Sequence, residues 1–199
     1  MPIRTERAKP LSVEDRRSVI IDAVLPLLVQ HGRAVTTRQI ADAAGVAEGT
    51  VFRAFGDKES LIEAAVEKFF DPAPLRIALQ SIDRTLTLEQ KLSDILFHLR
   101  ARFQGIFGIM NALGMSARPP VNEAARHESS TIIAELLEAD LAELRVPPEA
   151  VTRFIRIIAF STAIPSFNDS VNFSSAELAS LIRLGVAGVP AKGRNDNAS

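Results

Sequence analysis

The stretch from Thr36 to Phe55, TTRQIADAAGVAEGTVFRAF, leaves its backbone little choice. Thr36 followed three residues later by Gln39 is a capping box, in which hydroxyl and amide side chains satisfy two otherwise orphaned backbone donors, so a helix starts there. Ile40 and Ala44 stand four apart on one face of it, and Ala41 is small enough for a second helix to cross closely. Gly45 stops the helix, because the left-handed turn that follows is nearly free only for glycine. Val46 fills the corner. A second helix from about Ala47 to Phe55 buries Val51 and Phe55 and turns Glu48, Gly49, Thr50 and Arg53 outward. Two short helices set at an angle by a glycine corner are either an ordinary αα-hairpin or a helix-turn-helix whose second helix enters a DNA major groove.

The flanking sequence is helical too. Ser12 with Asp15 opens a helix whose apolar positions Ile20, Ala23, Val24, Leu27 and Leu28 recur at helical spacing until Gly32. Pro26 lies inside this pattern, where it removes an amide donor, so a bend is expected. After Phe55, Gly56 turns the chain and Asp57 caps a further helix through Leu61, Ile62, Ala65, Val66 and Phe69. Lys58, in the first turn of that helix, reads either as a solvated surface lysine or as a phosphate anchor with donors to spare.

Residues 16 to 70 resemble the DNA-binding domain of the TetR family of transcriptional regulators. The likeness is carried by a first helix ending in QHG (Gln30 to Gly32), by TTRQIADAAGV, and by GTVFRAFGDKESL leading into a fourth helix. It implies a homodimer that binds a double-stranded DNA operator and lets it go when a small molecule occupies a C-terminal helical domain. The DNA-contacting positions it implies are Thr36, Thr37, Arg38, Ala47, Glu48, Gly49, Thr50, Phe52, Arg53 and Lys58. Two departures stand out. Phe52 occupies a position where the family usually has a phosphate-contacting tyrosine, and it has no hydroxyl to offer. Ala47-Glu48 replaces a common Ser-Lys, which loses an N-cap and sets a carboxylate where phosphates approach. That carboxylate can instead accept a hydrogen bond from a cytosine amino group.

A net charge of -1 over 199 residues argues against a nonspecific nucleic-acid coat, but not against a local positive face. Arg4, Arg7 and Lys9 in the leading segment, then Arg38, Arg53 and Lys58, are the cations for such a face. Residues 1 to 11 lack periodicity and read as a flexible tail, either without function or tracking a groove. The chain has no cysteine, so disulfides, thiolate chemistry and zinc-finger spacing are excluded. No leader pattern or bilayer-length apolar run is visible, and a cytoplasmic protein without membrane contact is expected. His31, His98 and His127 fall on separate predicted elements, and no nucleophile motif accompanies them. Neither an enzyme nor a metal or cofactor site is expected.

DPAP, residues 71 to 74, separates a head (12–70, motif 36–55) from a body (71–190), with a frayed tail over 191–199. The fold class predicted is all-α: an N-terminal helix-turn-helix domain of three helices plus a C-terminal helical ligand-binding and dimerisation domain, about nine helices in all. Thr87 and Gln90 open a long helix through Leu92, Ile95, Leu96, Leu99, Phe103, Phe107 and Met110. Lys91, Asp94, His98 and Arg102 fall on its other side and read as a solvated stripe. From Phe103 to Met115 the charges vanish. Such a segment is plain core or a cavity wall, and under the family resemblance Phe103, Gln104, Phe107, Met110, Asn111 and Met115 become candidates to hold a small hydrophobic effector. A later helix carries Ile133, Leu136, Leu137, Leu141 and Leu144. The helix after Pro148 has apolar residues on more than one face. With the helix opened by Ser174 and Glu177, it is expected to pair with its symmetry mates, through Val151, Phe154, Ile155, Ile158, Leu178, Leu181 and Ile182. The rival reading is a helical protein that binds an apolar ligand or a partner and has lost DNA binding, motivated by Ala47, Glu48 and Phe52.

Overall fold

The computed structural model describes residues 12–115, 123–164 and 172–186. Among them are nine α-helices, two 3₁₀ turns and no strand: α1 (Val13–His31), α2 (Thr37–Ala44), α3 (Glu48–Phe55), α4 (Lys58–Phe70), α5 (Ala73–Gln80), α6 (Leu88–Ala112), α7 (Glu123–Leu137), α8 (Pro148–Ala163) and α9 (Ser175–Val186). The basic tail residues Arg4, Arg7 and Lys9, and the expected C-terminal tail, lie outside the described residues.

The chain forms two compact units, and the division does not follow chain order. The first takes the residues up to Asp71 together with Gly108–Ala117, and the second takes the rest. The charge-free end of α6 therefore belongs to the first unit, which a linear split at residues 71–74 does not anticipate.

In the first unit, one stripe of each helix is buried. Ile20, Val24 and Leu28 of α1, Ile40 and Ala41 of α2, Val51 and Phe55 of α3 and Leu61, Ile62 and Ala65 of α4 enclose a single core, joined by Val35, Ile109 and Leu113. Full burial of each large aliphatic side chain contributes about 2 kcal/mol. The helix α1 runs unbroken through the exposed Pro26. It ends at Gly32, at φ 55°. A β-carbon there would sit 2.3 Å from the carbonyl oxygen of Ala112, so both backbone conformation and close approach require glycine.

The second unit is built on α6. Its capping box is present: Gln90 Oε1 accepts from the Thr87 amide at 3.1 Å, and Thr87 Oγ1 accepts from the Gln90 amide at 3.4 Å. Leu92, Ile95, Leu96, Leu99 and Phe103 bury against Ile132, Ile133, Leu136 and Leu137 of α7, Val151, Ile155 and Ala159 of α8, and Leu178, Ala179 and Ile182 of α9.

Three expectations are corrected here. Lys91 is not on a solvated stripe: it is 1 % exposed and its ammonium lies 2.9 Å from Asp140 Oδ2. The 3₁₀ turn Glu138–Asp140 after α7 delivers that carboxylate, and Asp94 and His98 are half-buried as well. Leu141, expected in the core, is 54 % exposed because the helical run ends at Asp140. Finally, Val151, Ile155, Leu178 and Ile182, expected at a dimer interface, are buried in the core of their own unit. The buried stripe of α8 is the four-residue repeat Val151, Ile155, Ala159, Ala163, which the protomer fills itself. What α8 and α9 leave exposed is Phe154, Ile157, Leu181 and Leu184, while Ile158 packs half-buried against the core.

Candidate DNA-binding face

The corner forms as the sequence demands. Thr36 Oγ1 accepts from the Gln39 amide at 3.2 Å, and Gln39 Oε1 accepts from the Thr36 amide at 2.8 Å. Gly45 closes α2 in the left-handed region (φ 65°, ψ 32°), and Ala47 starts α3 without a side-chain cap. The last turn of α3 is fixed from behind. Arg17 of α1 lays its guanidinium 4.2 Å from the centre of the Phe55 ring and donates to the Ala54 carbonyl. Sequence reasoning missed Arg17, since only the crossing of α1 and α3 shows what it holds.

On the outer surface of the corner, Arg38, Ala47, Glu48, Gly49, Phe52 and Arg53 are exposed, and Thr37 and Thr50 half-buried. The Thr37 hydroxyl donates to Glu48 Oε1 at 2.5 Å, which ties the first turn of α2 to the first turn of α3. Arg53 reaches the Thr50 hydroxyl at 3.4 Å, one turn back on the same face. Thr36 is committed to its cap. Phe52 keeps 47 % of its surface open, and a β-carbon on Gly49 would meet nothing within 4 Å, so both project into free space.

Lys58 departs from its expected state. Its ammonium donates to the Arg33 carbonyl at 2.9 Å, within reach because the 3₁₀ turn Gly32–Ala34 lies beside the start of α4. Arg33 in turn pairs with Glu59 at 2.5 Å. Lys58 is thus a clasp within the unit that retains further donors, rather than a lysine with all its donors free. Asp57 caps α4 through the Ser60 amide. That hydrogen bond, helped by one from the Ser60 hydroxyl, holds the carboxyl of Asp57 below the ordinary aspartate range.

The proposed effector residues divide. Phe103 and Phe107 belong to the second unit, where each meets Phe160 of α8 edge-on with ring centres 5.4 Å apart. Gln104 is exposed. Met110, Asn111 and Met115 lie in the first unit, with Asn111 exposed and Met115 packed against that unit's core. The six do not gather into one group, because α6 changes its packing partners at Gly108. Among the described residues, no cluster of histidine or carboxylate side chains could hold a metal ion, and no helix is long and apolar enough to cross a membrane.

A glycine-cornered helix pair with an open second helix, on an all-α scaffold, has the geometry of a helix-turn-helix. Residues 20–65, about a quarter of the chain, match the family model for bacterial regulatory proteins of the tetR family. Over 50 residues it is 48 % identical to an HTH-type transcriptional regulator, YvkB, of Bacillus subtilis, covering 25 % of this chain and 26 % of that one. Over 78 residues it is 35 % identical to the HTH-type transcriptional repressor KstR2 of Rhodococcus jostii, covering 37 % and 38 %. The chain thus matches well under half the length of these relatives, whose names give them as transcriptional regulators. The fold extends further. A TetR transcriptional regulator from Streptomyces coelicolor superposes with a TM-score of 0.57 at 21 % identity, over 87 % of this chain and 99 % of that one. The ketosteroid transcriptional regulator KstR2 of Mycobacterium tuberculosis does so with 0.53 at 17 % identity, over 89 % and 97 %.

Proposed function

We propose that this protein is a ligand-responsive transcriptional repressor that binds a near-palindromic operator as a homodimer and is released by a small, largely apolar effector. The observation that carries the reading is the open face of α3, where Glu48, Gly49 and Arg53 are exposed around a half-buried Thr50 on a motif matched by the tetR family. Arg53 reads guanine or phosphate, Glu48 accepts from cytosine, and Phe52 touches a thymine methyl. Two copies of α3, set about 34 Å apart, enter successive major grooves. The exposed Phe154, Ile157, Leu181 and Leu184 are the apolar residues of α8 and α9 left for the second copy.

The effector sits in the second unit, against the Phe103, Phe107 and Phe160 rings. Its occupancy is carried by α6, whose last turns belong to the first unit, and it biases the dimer toward a spacing that no longer fits DNA. The test is an electrophoretic shift with DNA from the protein's own promoter region. The wild type shifts a discrete fragment, Arg53→Ala loses preference for it over random DNA, and no shift at low salt with any such fragment overturns the reading. That last result favours a helical binder of apolar ligands that has lost DNA binding, in keeping with Ala47, Glu48 and Phe52.

A further inference from the structure

Arg100 is a buried cation with no counter-charge among the described residues of the second unit. It leaves α6 in the middle of the core-facing run, is 9 % exposed, and its buried Nε has no hydrogen-bond partner. Its Nη1 reaches the Ser175 hydroxyl at 3.3 Å, at the first residue of α9. No carboxylate pairs with it among the described residues, although Lys91, Arg76, Arg84 and Arg183 of the same unit all have one. Burial pushes its pKa down.

The place it points to makes the imbalance larger. The N-terminus of a helix carries a partial positive charge and unsatisfied amides, so a guanidinium there meets like charge. The nearest acid by sequence, Glu177, is exposed and already committed: its Oε2 accepts from the Ser174 amide and hydroxyl, both at 2.8 Å, completing the α9 capping box. A buried guanidinium thus meets the first turn of α9 at Ser175, where the helix dipole is positive, and an anion is what resolves them.

The neighbourhood says what kind of anion. Arg100, Phe103 and Phe107 stand at i, i+3 and i+7, on one stripe of α6. Their span along the helix is about 10 Å. Phe160 closes on both rings, and Phe107 and Phe160 remain half-buried rather than sealed. We infer that the effector of this protein is an amphiphile with a carboxylate head, bound by Arg100 and the first turn of α9, and an apolar body lying along Phe103, Phe107 and Phe160. This rests on the proposed effector role of the second unit and adds to it the chemical class of the ligand.

Three probes, read by calorimetric titration and thermal melting of the full chain, separate the parts: decanoate, decanol and acetate. Decanoate is expected to bind at least tenfold tighter than decanol, and acetate to give no measurable protection at matched concentration. In Arg100→Met, decanoate is expected to fall to the affinity of decanol while decanol is unchanged. The ligand-free variant is expected to melt higher than wild type, because a buried charge without a partner has been replaced by an apolar chain of similar length. Decanol binding as well as decanoate, or decanoate binding Arg100→Met undiminished, overturns the carboxylate assignment and leaves an apolar effector standing. Binding of neither amphiphile, with operator binding intact, removes the effector reading along with it. A lower melting temperature in ligand-free Arg100→Met than in wild type shows that the chain supplies its own counter-ion, and overturns the inference.

Discussion

The Lys91–Asp140 pair allows a quantitative test of how the second unit is held together. Its two groups lie 2.9 Å apart, with the side chains 1 % and 10 % exposed, so neither charge can recover hydration if the other is removed. Truncating one member of such a pair costs about 3–5 kcal/mol, against a total stability of roughly 5–15 kcal/mol. For a chain of this length each kcal/mol moves the melting temperature by about 2–4 °C, so Lys91→Met and Asp140→Asn should each lower it by roughly 10 °C or more. The double replacement Lys91→Met, Asp140→Leu removes both charges and keeps most of the volume. It is therefore expected to recover most of the loss, giving a coupling well above 1 kcal/mol in a double-mutant cycle measured by urea unfolding. Single variants within about 1 kcal/mol of wild type, with additive effects, would show that water reaches the pair and that the burial argument fails.

Gly32→Ala should destabilise the first unit by more than the roughly 1–2 kcal/mol of a left-handed residue alone, since its β-carbon also meets the Ala112 carbonyl; a chemical denaturation midpoint equal to wild type would contradict that contact. Replacing Phe154 and Leu181 together by aspartate should convert a dimer into a folded monomer by light scattering with little change in melting temperature, as both side chains are open in the single chain. Arg53→Ala should relax sequence preference, whereas Lys58→Met should lower both operator affinity and stability because its ammonium also clasps the Arg33 carbonyl; anisotropy titrations and melts on the same samples separate the two. Asp57 has a folded pKa below its ordinary value, so its contribution is present above about pH 4 and fades as the solution is acidified through the lowered pKa. Asp57→Asn should accordingly be less stable than wild type at neutral pH, and the two should converge in strong acid.

Much of this fold was legible because its punctuation is local. The boxes at Thr36, Thr87 and Ser174 each close over three residues, and a helix start written within one turn survives whatever packs on it later. Partners far apart in sequence were not legible. Lys91 looks like part of a charged stripe until Asp140 arrives from the end of α7, and Lys58 looks free until Arg33 turns its carbonyl toward it. The uncharged run from Phe103 to Met115 announces burial, but nothing in it says that Ile109 and Leu113 serve one core and Phe103 another. In the same way, apolar residues on two faces of α8 signal two partners without saying which face the protomer keeps.

The hydrogen bond from Thr37 to Glu48 has a consequence for how DNA would be chosen. A side chain already tethered before the encounter cannot swing aside when an unsuitable sequence comes past. On the proposed reading surface it acts as a filter that rejects by penalty as much as it rewards a match, because an acceptor held in place is costly to bury against another acceptor. Thr37→Val would loosen the tether without touching charge, and the regulator should then grow more tolerant of substitutions in its operator.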